Sequence, residues 1–306
     1  MSHEQQTMLN NRYTYTSDRR IGRGNFGTVF RVFDHIEKTD KALKAVRKLT
    51  QDMIDTSANN EIGVLNTLSG IEGVPELYEH FESNSFRYLV LPLYIADLLT
   101  LRRRNESRKF EKETVLQVAW HLVKILQDVH QKGIIHQDIK CANIMVTAKP
   151  NPFCLIDFGV AYRFLDGRGN RKVIPPQRIQ TSLINCKYIS PKLANGFVGQ
   201  ETVDLDMLLF ALLDCCGKRA STEKDPNVNL EERIKVLMDP EKYFIEDVGI
   251  LCPIAKSFAK QEYGKTPNYN EIFTAIESVI FGFTPSFTPM DQLKLEKNDK
   301  DEHILR

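Results

Sequence analysis

Between Tyr13 and about Leu91 the apolar positions come in short stretches, while after that they fall at a helical spacing. RRIGRG and GTVFRVFD predict two strands joined by a glycine turn, and KALKAVRKL predicts a third. ANNEIGVLNTL places Ile62, Leu65 and Leu68 at helical spacing, so a helix is expected there. FRYLVLPL predicts a last apolar strand. Residues 113–133 then carry Val115, Val118, Ala119, Leu122, Ile125, Leu126 and Val129 on one helical face and end at Gly133. That pattern predicts an amphipathic helix closed by a glycine. Most of the chain beyond Gly133 reads as helix and loop. The expected class is α+β: a small strand-rich lobe over 13–92 and a larger helical lobe over 93–290. The join lies near Pro92–Ile95, and loose tails are expected at 1–12 and 291–306.

Composition narrows this little. Of 306 residues, 42% are hydrophobic and 26% charged, with a formal net charge of +1. That balance is ordinary for a globular chain and gives no basic field to attract nucleic acid. Apolar stretches are short and interrupted by charge, so no membrane span is expected. The polar start MSHEQQTMLNNRY lacks the apolar segment of a signal peptide. Cys141, Cys154, Cys186, Cys215, Cys216 and Cys252 form no paired C-x-x-C pattern. Reduced thiols in an intracellular protein, cytoplasmic or nuclear, are the expectation.

Candidate chemistry begins at Gly22, Gly24 and Gly27, spaced G-x-G-x-x-G and followed by Val29. Glycines let a backbone approach phosphate oxygens because no Cβ stands in the way. The same spacing describes a dinucleotide-binding turn or a plain hairpin. A dinucleotide turn leads into a helix, however, and this one leads into an apolar strand. Lys44 ends the next strand, where its ammonium can meet phosphates if a carboxylate holds its stem. Glu61, on the expected helix, is the candidate. Farther on come Ile134-Ile135-His136-Gln137-Asp138-Ile139-Lys140-Cys141-Ala142-Asn143 and, fourteen residues after Asn143, Asp157-Phe158-Gly159.

Taken in this order, the motifs resemble those of the eukaryotic protein kinase family over about residues 15–280. The resemblance implies a bilobal kinase fold, ATP and magnesium as cofactors, and protein substrates. It implies that Asp138 accepts the proton of the attacking hydroxyl and that Lys140 contacts the transferred phosphate. Asn143 and Asp157 would hold magnesium, a hard cation suited to an amide oxygen and a carboxylate. Ile21, Gly22, Gly24, Gly27, Val29, Lys44, Glu61, Leu91 and Tyr94 would form the ATP site. Leu91 stands at the gatekeeper position, and the Tyr94 N–H would meet the adenine. Lys140 looks like a serine/threonine kinase.

The chain departs from the common pattern in places. Gln137 replaces an arginine that clamps a phosphorylated activation loop in many kinases. Ser190-Pro191-Lys192 replaces Ala-Pro-Glu and loses its carboxylate. Asp204-Leu205-Asp206-Met207 stands where Trp, Ser and Gly are common, and Gly264 to Ile272, with Lys265-Thr266-Pro267-Asn268-Tyr269, ends the domain. These last features resemble the casein kinase 1 group and the vaccinia-related kinases, which have a Lys-Pro-x-Tyr turn there, with cell division control protein 7 kinases as competing relatives. A pseudokinase scaffold is the alternative that Gln137 and Ser190-Pro191-Lys192 suggest; small-molecule kinases fit less well. Between 160 and 192 the cations Arg163, Arg168, Arg171, Lys172, Arg178, Lys187 and Lys192 face one acid, Asp166. They predict either a groove for acidic or phosphorylated substrates or a solvated loop. Arg102, Arg103, Arg104 and Arg108 are expected to be a solvated helix face.

Overall fold

A computed structural model describes residues 7–16, 19–24, 27–48, 56–148, 151–172, 188–197, 199–222, 225–283 and 288–306. These residues divide into two compact units. The first holds the described residues within Met1–Gly70, Val74–Tyr94 and Asp157–Val160; the second holds those within Ile71–Gly73, Ile95–Ile156 and Ala161–Arg306.

The first unit is a curled antiparallel sheet with one helix. Its strands are β1 (Thr7–Leu9), β2 (Tyr13–Tyr15), β3 (Arg20–Gly24), β4 (Gly27–Asp34), β5 (Thr39–Arg47), β6 (Glu79–Glu82) and β7 (Phe86–Leu91). They run in the order β1-β2-β4-β5-β7-β6, with β3 also against β4. Alternation along the strands gives the sheet two different faces. One packs Tyr13, Val32, Leu43, Ala45, Tyr88 and Val90 into an aromatic-rich core. The other carries Val46 and Leu89 against Ala58 of helix α1 (Thr56–Thr67).

Residues 7–9 are not a loose tail. Asn10 and Asn11 both take positive φ, near 50°, and Arg12 N–H bonds the Leu9 carbonyl, closing β1 onto β2. An Asn-Asn pair suits such a tight hairpin, since Asn tolerates the left-handed region.

The second unit is mostly helical. After β8 (Ala96–Asp97) come α2 (Leu98–Arg104), α3 (Lys112–Gln131), β9 (Ile134–Ile135), β10 (Ile144–Val146), β11 (Phe153–Leu155) and β12 (Tyr162–Arg163). Beyond them lie α4 (Pro191–Ala194), α5 (Glu201–Cys215), α6 (Pro226–Met238), α7 (Pro240–Tyr243), α8 (Cys252–Ala259) and α9 (Tyr269–Phe283). Residues expected as a C-terminal tail instead form the hairpin β13 (Leu295–Lys297) and β14 (His303–Leu305), with Leu305 fully buried. Every residue of α5 is buried, including four carboxylates: Glu201, Asp204, Asp206 and Asp214. Acids taken out of water are costly unless donors meet them, so each fixes some neighbouring segment. No helix among the described residues is long and apolar enough to cross a membrane. Cys141, Cys154, Cys215, Cys216 and Cys252 are free thiols, and Cys186 lies outside the described residues.

Candidate active site

In the first unit the strand register does the positioning. Val29 pairs with Lys44, Lys44 with Leu89, and Ala42 with Leu91. Cross-strand partners share a face, so an apolar surface of Val29, Ala42, Leu89 and Leu91 surrounds one ammonium. Gly22 pairs with Val29 and Gly24 with Gly27, and a bulge between Arg20 and Gly22 leaves Ile21 half exposed. Gly27 has φ near 151°, and a Cβ there would lie 2.6 Å from the Ala45 carbonyl oxygen. The hairpin therefore closes onto β5 only with glycine at that position. Asn25 and Phe26 lie outside the described residues. Tyr94 is the last residue of its segment in this unit and is partly buried.

Glu61 lies on the inward side of α1 with Ala58 and Leu65, one turn to either side, and is 2% exposed. Its Oε2 accepts from Lys44 Nζ at 2.6 Å, and Asp157 Oδ1 accepts from the same nitrogen at 2.7 Å. Burial alone would lower the Lys44 ammonium, but Glu61 and Asp157 outweigh it and hold its pKa above the ordinary lysine value. Asp157 itself sits at φ 69°, a conformation rarely held without support. Part of that support comes from Asn60, whose amide donates to the carbonyl of Gly159 at 3.3 Å. A Cβ on Gly159 would meet Ser57 Oγ at 2.5 Å, so glycine is what lets this turn sit against α1.

In the second unit, Asp138, Lys140 and Asn143 form one hydrogen-bonded group. Lys140 Nζ donates to Asp138 Oδ2 at 2.5 Å, and Asn143 Nδ2 donates to that oxygen at 3.0 Å and to the Asp138 carbonyl at 2.8 Å. With its nitrogen so engaged, Asn143 is left presenting its amide oxygen, the donor atom a hard cation such as magnesium takes. Asp157, in the first unit, brings a carboxylate of the same hard character. His136 accepts the Asp138 N–H through Nδ1, so Nε2 carries the proton and donates to the Ile156 carbonyl at 2.9 Å.

The α5 carboxylates hold this loop and the segments around it. Asp204 accepts the main-chain N–H of His136 at 2.7 Å and of Gln137 at 2.8 Å. It also accepts from His130 Nε2 at 2.9 Å, and the Tyr269 hydroxyl meets His130 Nδ1. These bonds hold Gln137 at φ 66°. Asp206 accepts from Ser190 Oγ at 2.6 Å and from Lys192 Nζ at 3.0 Å. Burial pushes the Asp206 carboxyl above its usual range, against the pull of Lys192 and Ser190. The segment Ser190–Lys192 is thus tied to α5 by the Lys192–Asp206 ion pair and the Ser190 hydrogen bond.

Several of the basic side chains singled out in the sequence already have partners, while Arg103 and Arg108 are exposed as expected. Arg171 makes a two-pronged bond to buried Glu201 at 2.6 and 2.8 Å, Lys192 is taken by Asp206, and Lys172 donates to the Arg163 carbonyl. These cations are committed to the protein's own groups. Arg178 and Lys187 lie outside the described residues. Arg102 is not on a solvated face either: it pairs with buried Asp214 at 3.3 Å and donates to the Arg108 carbonyl. Arg104 likewise donates to the His303 carbonyl.

Known proteins share both the sequence pattern and the fold. The protein kinase domain model matches residues 15–212. A casein kinase I homolog of Encephalitozoon cuniculi is 27% identical over 87% of this chain and 84% of its own length. The serine/threonine-protein kinase spe-6 of Caenorhabditis elegans is 30% identical over 56% of this chain and 44% of its own. Among solved structures, vaccinia related kinase 3 superposes with a TM-score of 0.72 at 17% identity, over 95% of this chain and 94% of the other; that likeness shows the fold.

Proposed function

The chain belongs to the protein kinase domain family and is similar to casein kinase I, and from that premise we propose that it transfers the γ-phosphoryl group of ATP to serine and threonine hydroxyls of proteins. The observation that carries this reading is the Asp138–Lys140–Asn143 group, three side chains of the required kinds joined by hydrogen bonds in one loop. Phosphoryl transfer passes through a loose transition state, so positioning and charge neutralisation do most of the work.

Asp138 accepts the hydroxyl proton as the substrate oxygen attacks, being an acceptor held within a fixed loop. Lys140 supplies positive charge beside that carboxylate, where the transferred group gathers negative charge. Lys44, kept protonated by Glu61 and Asp157, binds the nucleotide phosphates. Magnesium, when bound, neutralises phosphate charge; Asn143 and Asp157 are the residues that would hold it. Leu91, Val29 and Ala42 offer an apolar surface for adenine, with the Tyr94 N–H as its donor. The two features behind the pseudokinase alternative are both compensated: Asp204 supports Gln137, and Asp206 supports Lys192. A preference for acidic substrates would rest on Arg168, Arg178 and Lys187, since Arg171 and Lys192 are paired. An intracellular location is part of the same proposal, supported by the free thiols of Cys141, Cys154, Cys215, Cys216 and Cys252.

The test is phosphoamino-acid analysis of casein incubated with the chain, magnesium and γ-labelled ATP. Labelled serine or threonine is expected; label on tyrosine alone, or none, would overturn the reading.

A further inference from the structure

The face of α3 that carries Thr114, Gln117 and His121 is polar yet buried, each residue being 2–3% exposed. Spaced by three and four, they form one stripe. Each finds a main-chain oxygen of the C-terminal segment: Thr114 Oγ1 that of Arg306, Gln117 Nε2 that of Asp291 at 2.6 Å, and His121 Nε2 that of Pro289 at 2.9 Å. Next to them Asn105 Nδ2 donates to the Leu305 carbonyl at 2.5 Å and Arg104 to that of His303 at 3.1 Å. Five side chains therefore grip the backbone of residues 289–306, while Leu305 inserts its side chain and Lys294 pairs with Glu111 at 2.6 Å. Exposed ion pairs add little, so the grip is in the partly buried bonds to main-chain oxygens.

What this segment holds is α2. Arg104 and Asn105 end that helix, and α2 packs against both β14 and the turn Cys141–Asn143. Its N-cap residue Asp97, which accepts from the Thr100 N–H at 2.9 Å, lies on β8; β8 pairs with β10, the strand that begins directly after Asn143. The segment, α2 and the Asn143 turn are thus consecutive layers of one packed body.

We propose that residues 288–306 act as a positioning strap for the Asn143 turn, seated by main-chain recognition on α3 and transmitting its seating through α2. The proposal rests on the kinase reading for its effect on turnover, though not for its mechanical link. Among the described residues, the strap touches neither Asp138 nor Lys44 and acts on the Asn143 turn only through α2. Its release is therefore expected to lower kcat and leave the KM for ATP near its wild-type value.

The test uses the full chain with Thr114→Val, which removes the donor at nearly constant shape, and Thr114→Ser, which restores it. Gln117→Met is a second, independent release of the same seat. Hydrogen exchange is followed at 289–306, 98–104 and 141–146 alongside steady-state kinetics. Thr114→Val and Gln117→Met are expected to speed exchange in all three segments and lower kcat by about 2- to 30-fold, with Thr114→Ser like wild type. Faster exchange in the strap alone, or a KM change at constant kcat, would overturn the proposal. If wild-type protein transfers no phosphate, the kinase reading fails, and exchange at 141–146 still decides whether the strap is coupled to the turn.

Discussion

The Asp204 carboxylate accepts the main-chain N–H of Gln137 at 2.8 Å, and both groups are buried. With His136 and His130 on the other oxygen, the carboxylate is matched only by donors. Asp204→Asn would turn an NH₂ group toward one of them and leave a buried N–H unpaired. A loss of about 1–3 kcal/mol in urea unfolding is expected, with a slower transfer rate. Wild-type stability and rate in this variant would remove Asp204 as the anchor of the loop.

Lys44 sits between two carboxylates, Glu61 Oε2 at 2.6 Å and Asp157 Oδ1 at 2.7 Å. Removing one partner of a buried pair leaves uncompensated charge and costs about 3–5 kcal/mol. Lys44→Met should therefore melt earlier and transfer no phosphate. Adding Glu61→Gln should restore part of the melting temperature and none of the activity. A single variant as stable as wild type would mean that the cluster is effectively solvated.

The contrast between these two sites shows what could be read from the sequence. The glycine hairpin, Lys44, Glu61 and the Asp138–Asn143 loop were legible because each is a short contiguous pattern or lies on a periodic element. Asp204 stands 67 residues from Gln137, and only its place between Val203 and Leu205 in an apolar-rich helix hinted at a buried role. Asn60, which supports the turn after Asp157, carries no such hint. Charges misled for the same reason: Arg171 and Lys192 count as surface cations until α5 brings Glu201 and Asp206 to them. At the termini, tail-like composition concealed the Asn10-Asn11 turn and the strap, whose grip is on backbone carbonyls that composition does not reveal.

Arg12 holds the Asp34 carboxyl down to about 2, with the Ile36 and Glu37 N–H groups assisting. A carboxyl depressed in the folded state contributes stability above its unfolded value, near 4, and loses it as pH falls through 2. The stability difference between wild type and Asp34→Asn should be full at pH 6 and shrink between about pH 4 and pH 2. A difference independent of pH would place the contribution of Asp34 in something other than its charge.

Gln137 is neutral and so brings no charge of its own that would need a phosphate on the activation segment, Lys140 is paired with Asp138, and Lys192 is paired with Asp206. Protein made in bacteria and stripped by phosphatase should keep most of its activity. Mass spectrometry would confirm bare Thr181 and Ser182, which lie outside the described residues; Ser190 is fully buried and bonded to Asp206, so it is not expected to be modified. A tenfold drop, recovered on rephosphorylation, would show that another basic residue serves as the clamp, on the order of one such contact.

Asp138 carries the central claim, and Asp138→Asn tests it most directly. Asparagine keeps the shape of the loop and removes the acceptor for the hydroxyl proton. Initial rates of label transfer from ATP to casein, measured side by side at saturating magnesium and ATP, should fall by about 10²–10⁴-fold. Melting should stay near the wild-type temperature and ATP binding should persist. Transfer near the wild-type rate in Asp138→Asn, or no transfer by the wild-type chain itself, would contradict the assignment.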